Sequence, residues 1–190
     1  VLFPKAGCWG TGRSLLSSAM TITAEDLSVS FFVRALKSHR VHLEKAVAHA
    51  KEQGYDPNVL LSARLYPDMF SLLQQIQAVT DTARRGAARV AGVEPTSYED
   101  NETSFEQLFE RIDGSIRDIE ALDRGTFDGA ETREFTVNLG QELTFTGKSY
   151  LLGFAVPNLT FHLSMAYAIL RHSGVPLGKR DLLTSFIAPG

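Results

Sequence analysis

Asn158 and His162 stand four residues apart in the run Pro157-Asn158-Leu159-Thr160-Phe161-His162. On a helix that spacing places both side chains on one face, one turn apart. Leu151, Phe154, Ala155, Met165 and Ile169 share the face, so two polar groups sit in a stripe that should point into a core. Buried polar groups must be paired, solvated in a pocket, or used in chemistry. His162 is the natural proton carrier, because an unperturbed imidazole titrates near neutrality. An amide beside it could polarise a carbonyl, and Tyr66 or Tyr167 could donate a phenolic hydroxyl. Such a set suits isomerisation, lyase chemistry or proton transfer on an apolar substrate. No nucleophile stands out: no serine has the G-x-S-x-G setting. No glycine fingerprint for a nucleotide is present, and no cofactor is expected.

Four long amphipathic segments must position these groups. The first opens at Thr23 or Asp26 and runs to about Gln53, with Phe31, Phe32, Ala35, Leu36, Leu43, Ala46 and Ala50 as its apolar stripe. His39 shares that stripe, whereas His42 and His49 read as surface residues. The second begins with Pro67 in its first turn and ends before Gly92, with Leu72, Leu73, Ile76, Val79, Thr80, Ala83 and Ala87 inward. The third starts at Thr103-Ser104-Phe105-Glu106, where Thr103 and Glu106 have the spacing of a capping box. Between it and the fourth, Phe135, Val137 and Leu139, then Leu143 and Phe145, alternate with polar residues and predict a β-hairpin. The fourth helix spans about Gly147 to His172, and Pro157 should kink it. The pattern is an all-α four-helix bundle with an inserted hairpin, in which sites form from side chains on facing helices.

The totals narrow the possibilities. The chain has 190 residues, a net charge of −3 and 44% hydrophobic residues, as expected of one domain with a real core. That charge makes no case for nucleic acid, and Arg84, Arg85 and Arg89 read as a solvated helix face. No apolar run has the length of a membrane span, and a cytoplasmic location is expected. The single cysteine, Cys8, excludes an internal disulfide and a cysteine-built zinc site. Residues 1–19 show no amphipathic period and read as an appended or flexible tail, with the domain occupying 20–190. Glu99-Asp100-Asn101-Glu102 reads as a solvated loop, and Gln74, Gln77 and Asp81 as a stripe open to Arg171, Arg64 or a second subunit. Lys179-Arg180-Asp181 reads as a salt-bridged tail docked on the bundle.

The fourth-helix pattern, Asn158 and His162 followed by Leu170-Arg171 and Gly174, resembles the DinB/YfiT-like superfamily, four-helix bundles with a helix-borne metal site. In that superfamily two ligand histidines stand four apart here, and a third lies in a Leu-Leu-x-His-Ile-like stretch of the second helix. His162 occupies one of these positions. Asn158 occupies the second, and Gln75 in Leu72-Leu73-Gln74-Gln75-Ile76 the third. The resemblance is strongest to a microbial branch without an assigned reaction, at Leu65-Tyr66-Pro67-Asp68-Met69, at 74–81 and at 157–181, covering about 25–183.

The resemblance implies a metal held, if at all, by His162, Asn158 and Gln75. Amide oxygens are weak ligands for zinc, nickel or iron, so no tight metal is expected. Three readings stay open: a metal-free hydrogen-bonded cluster, a small-molecule pocket, and a divalent-metal enzyme. The leading expectation is a pocket for a small apolar molecule. Its candidate catalytic residues are His162 and Tyr167, and its candidate substrate-binding residues Asn158, Gln75, Phe161 and His39. The alternative is a non-catalytic dimeric interaction protein whose polar cluster only specifies packing. A homodimer is expected either way, with neither nucleic acid nor membrane as partner.

Overall fold

The computed structural model describes residues 21–187, and the reading of 1–19 as a tail falls outside that range. The helices are α1 (Phe32–Glu52), α2 (Leu72–Ala91), α3 (Phe105–Glu120), α4 (Gly147–Tyr150), α5 (Val156–His172) and α6 (Lys179–Ile187). π-Helical segments precede two of them, Asp26–Phe31 before α1 and Leu151–Ala155 between α4 and α5. Strands β1 (Glu134–Asn138) and β2 (Glu142–Thr146) pair antiparallel, with Val137 opposite Leu143. The fold is a four-helix bundle in which α4, the π segment and α5 make one long fourth helix, and the hairpin stands between α3 and α4.

Each start has a local cause. The Thr23 hydroxyl accepts the Asp26 amide at 3.1 Å, and the Asp26 carboxylate accepts the Thr23 amide at 2.9 Å. The second helix starts later than Pro67 suggests. Ser71 and Gln74 exchange bonds as a capping box, and this defines the first turn of α2, leaving Pro67 in the preceding turn. The cap of α3 lies one residue beyond Thr103: Ser104 accepts the Gln107 amide, while Gln107 reaches back to the Thr103 amide. Gly92 closes α2 in the left-handed conformation, φ 73°. At Pro157 the chain meets a ring that cannot donate to the helix. The irregularity lies upstream, as the Leu151–Ala155 π segment, and the helix continues through Pro157 to His172.

The core is a continuous cluster drawn from every main helix. It includes Phe32, Leu36 and Leu43 of α1, Leu72, Ile76 and Val79 of α2, Phe105 and Ile112 of α3, and Leu159 and Ile169 of α5. α2 and α5 lie against one another along the bundle, bringing residue 75 opposite residue 162. Among the described residues no helix is long and apolar enough to cross a membrane.

Several polar residues read as surface are buried. His42 is fully buried, because it continues the inward spacing of Ala35, His39 and Ala46, and α6 packs on this helix. Arg84 is buried too, with its guanidinium 4.1 Å from the centroid of the Tyr98 ring and one nitrogen 2.8 Å from Asp81. The acidic 99–102 stretch is not merely solvated: the Glu102 carboxylate and the Glu99 carbonyl accept from buried Arg111 at 2.7 and 3.1 Å. The Gln74, Gln77 and Asp81 stripe is satisfied within the chain. Gln74 caps α2, Gln77 donates to Glu102, and Asp81 pairs with Arg84, Arg85 and Arg111. Lys45 pairs with Asp181 at 2.6 Å, as a docked tail requires, although that tail is helical.

Candidate functional site

His162 lies on α5 and Gln75 on α2, and the two meet directly. His162 Nδ1 is 2.8 Å from Gln75 Oε1. The far side of the same amide settles the direction of the bond. Gln75 Nε2 donates to the Phe70 carbonyl at 3.4 Å, which leaves Oε1 facing the ring. An amide oxygen only accepts, so Nδ1 carries the proton. Nε2 is then the basic nitrogen of the neutral ring, and among the described residues it has no protein hydrogen-bond partner. Burial also lowers the His162 pKa, which keeps the imidazole neutral and available as a base at neutral pH.

Aromatic rings frame this pair. Phe70 stacks on His162 with centroids 6.0 Å apart, and Phe161 meets it edge-on at 5.2 Å. With Met69 they line a pocket of about 260 Å³ that has Gln75 and His162 as its polar end. Phe70 and Phe161 stand at the mouth, 50% and 52% exposed. Phe70 and Met69 were not legible as site residues. Their one signal is position, immediately before the cap at Ser71, where the chain must cross the end of α2.

The other expected members lie elsewhere. Asn158 Nδ2 donates to the Thr82 hydroxyl at 2.8 Å, so it ties α5 to α2 further along and takes no part in the His162–Gln75 bond. Tyr167 packs edge-on against His42 at 5.6 Å rather than lining the pocket. His39 is fully buried against His42 and is likewise absent from the lining. Tyr66 is exposed. Of the six expected residues, the structure brings together Gln75, Phe161 and His162.

Residues 25–183 match the family model described as Domain of unknown function (DUF1993). The chain belongs to the DUF1993 family. This DUF1993 chain is also similar to a solved DinB family member protein from Shewanella denitrificans. The two are 36% identical, with a TM-score of 0.79, over 87% of this chain and 94% of that one. No curated protein matches it. The resemblance read from the fourth helix is thereby shown at the level of fold and family.

The metal site of the superfamily is not reproduced in the donor set of this DUF1993 member. The three corresponding positions offer one imidazole and two amides, and the Asn158 amide is turned to Thr82. Gln75 spends its oxygen on the imidazole proton. Among the described residues no group of three or more His, Cys, Asp or Glu side chains is placed to hold a metal ion. These groups do not fit a transition metal, which favours imidazole, thiolate or carboxylate donors.

Proposed function

We propose that the pocket beside His162 takes a small apolar molecule and that His162 moves a proton on it. The observation that carries this reading is the neutral imidazole with an unpartnered Nε2 at the end of an apolar pocket. Met69, Phe70 and Phe161 offer apolar walls, and Gln75 fixes the tautomer and the ring plane. A positioned base of this kind suits abstraction of a proton next to a carbonyl and its return at another carbon or loss of a leaving group. The enzyme class is then an isomerase or lyase without a metal. Asn158 and Tyr167 support the helix packing, and His39 belongs to a separate buried cluster.

Titration with apolar carbonyl fragments, followed by NMR at the His162 ring, tests the reading. At least one fragment is expected to give saturable shifts, and Phe161→Trp, which fills the mouth, should abolish them. His162→Gln keeps size and polarity but removes the proton carrier. It should retain fragment binding and slow any turnover by about 10²-fold or more. A fragment set that gives no saturable shift removes the pocket assignment.

A second reading, a dimeric interaction protein, is favoured by the exposed aromatics at the same mouth, Phe70 and Phe161. It expects a dimer by light scattering at micromolar concentration, made monomeric by Phe70→Ser with Phe161→Ser. A wild-type monomer under those conditions rejects it.

A further inference from the structure

We propose that α6 is an acid-released latch over one face of α1, with His42 as its trigger. A single stripe of side chains holds α6. The Phe31 ring lies 5.3 Å from Phe186, and Arg34 donates to the Phe186 carbonyl at 2.7 Å. The Ser38 hydroxyl donates to the Leu182 carbonyl at 2.7 Å, with the Asp181 carbonyl at 3.2 Å. Lys45 pairs with Asp181. No residue of α6 is fully buried, and its apolar hold is Leu182 and Phe186, half-buried against the core. Just upstream, Val175 and Leu177 are buried and pin the chain, so release would pivot at Gly178 and leave the bundle intact.

Beneath this helix lies His42, fully buried beside Asp181, and behind it on α1 lies His39, also fully buried, its ring 6.3 Å away and edge-on. Neither His39 nitrogen has a hydrogen-bond partner, and the His42 ring makes no bond of full geometry, although the Asp181 backbone lies close enough to favour its charged form. Buried polar atoms left this way disfavour the covered state relative to one that water can reach. The charged and titratable groups facing His42 come from every packed element. Lys45 and His39 come from its own helix, Asp181 from α6, and the Tyr167 ring from α5. Asp181 favours the imidazolium and Lys45 opposes it, but burial outweighs both and lowers the His42 pKa to about 4. Burial, then the neighbouring His42, lowers His39 to about 3.

The sign follows from these directions. Once uncovered, His42 regains an ordinary pKa near 6.5 and binds a proton that the docked state refuses. Docking is therefore at full strength above pH ~6.5. It weakens about tenfold per pH unit below that, until His42 titrates in place near pH 4. Asp181 stays ionised through this window, because the Lys45 bond holds its pKa below the usual carboxylate value.

Hydrogen exchange of the full chain, corrected for intrinsic rates, reads the latch directly. Protection of the amides in 179–187 is expected to fall roughly 30-fold between pH 7.5 and 5.0, while α2 and α5 keep theirs. His42→Leu should make α6 protection independent of pH over the same range. Unchanged α6 protection in the wild type, or loss of α2 protection in step with it, overturns the proposal. So does a pH dependence that survives in His42→Leu. The wild-type comparison between α6 and α2 decides the matter even where that variant does not fold.

Discussion

Arg111→Ala is expected to destabilise the bundle by about 3–5 kcal/mol, the range for stripping one partner from a buried ion pair. Only 2% of the Arg111 side chain is exposed, yet its guanidinium is fully engaged. Nε donates to the Thr80 hydroxyl at 2.8 Å, and Nη1 to Glu102 at 2.7 Å. Nη2 lies 2.8 Å from Asp81 and 2.9 Å from Asp100. Burial alone would lower the Arg111 pKa; Glu102, Asp81 and Asp100 reverse that and raise it above the usual value. Truncation leaves Glu102, 9% exposed, without its cation, while Asp81, 19% exposed, keeps Arg84 and Arg85. The loss exceeds that of an exposed pair such as Lys37–Glu120, where both side chains are about half exposed and the pair contributes little. At about 2–4 °C per kcal/mol for a chain of this size, melting should fall on the order of 10 °C. Calorimetry of Arg111→Ala beside Arg111→Ala/Glu102→Gln gives the check, since neutralising the stranded Glu102 carboxylate should recover part of the loss, whereas Asp81 must stay to pair with buried Arg84. A single variant that melts within 2 °C of the wild type, a margin of about 1 kcal/mol or less, shows the cluster to be dispensable.

Phe32→Ala is expected to cost a similar amount, about 3–5 kcal/mol, for a different reason. The Phe32 ring is fully buried and lies over Gly86 of α2, where an added methyl group would stand 3.1 Å from Phe32 Cε2. The ring fills the space that the missing side chain leaves, so removing it opens a cavity between two helices. Gly86→Ala alone sets a tight contact against a helix-propensity gain of about 1 kcal/mol, and should change stability little. In the Phe32→Ala background the same methyl enters empty space and should recover roughly 1 kcal/mol or more. Urea unfolding of the four species closes the cycle. Strict additivity would show that the ring and the glycine are energetically independent.

The elements of this fold were legible because they rest on periodicity. The stripes of α1, α2 and α3 and the alternation around Val137 and Leu143 fall where repeats of about 3.6 and 2 residues place them. Helix starts were legible to within a few residues, since Ser71 and Ser104 compete with equally plausible Pro67 and Thr103. The polar interior was not legible. Arg84, Arg111 and His42 are types that usually face water, and each is inside only because a distant segment covers it. Those segments are the Tyr98 loop for the arginines and α6 for the histidine. At the site, spacing singled out His162 and the family resemblance singled out Gln75, and the two side chains meet. It could not foresee that Thr82 would claim Asn158, because that choice depends on how far α5 is advanced along α2.

The π segment at Leu151–Ala155 bears on how this helix tolerates change in length. A helix that closes its bonds to the fifth residue uses one residue more than a regular turn to cover the same arc. Its surplus lies at Leu152 and Gly153, which are exposed, between the buried Leu151 and Ala155. The stretch therefore acts as a phase adjuster between two rigid ends. The hairpin end is fixed by Tyr150 packed against Phe135 and Phe145, and the site end by His162 bonded across to α2. A related chain one residue shorter here could keep both ends in register by closing the bulge to regular α-helix, and the pocket would not have to move.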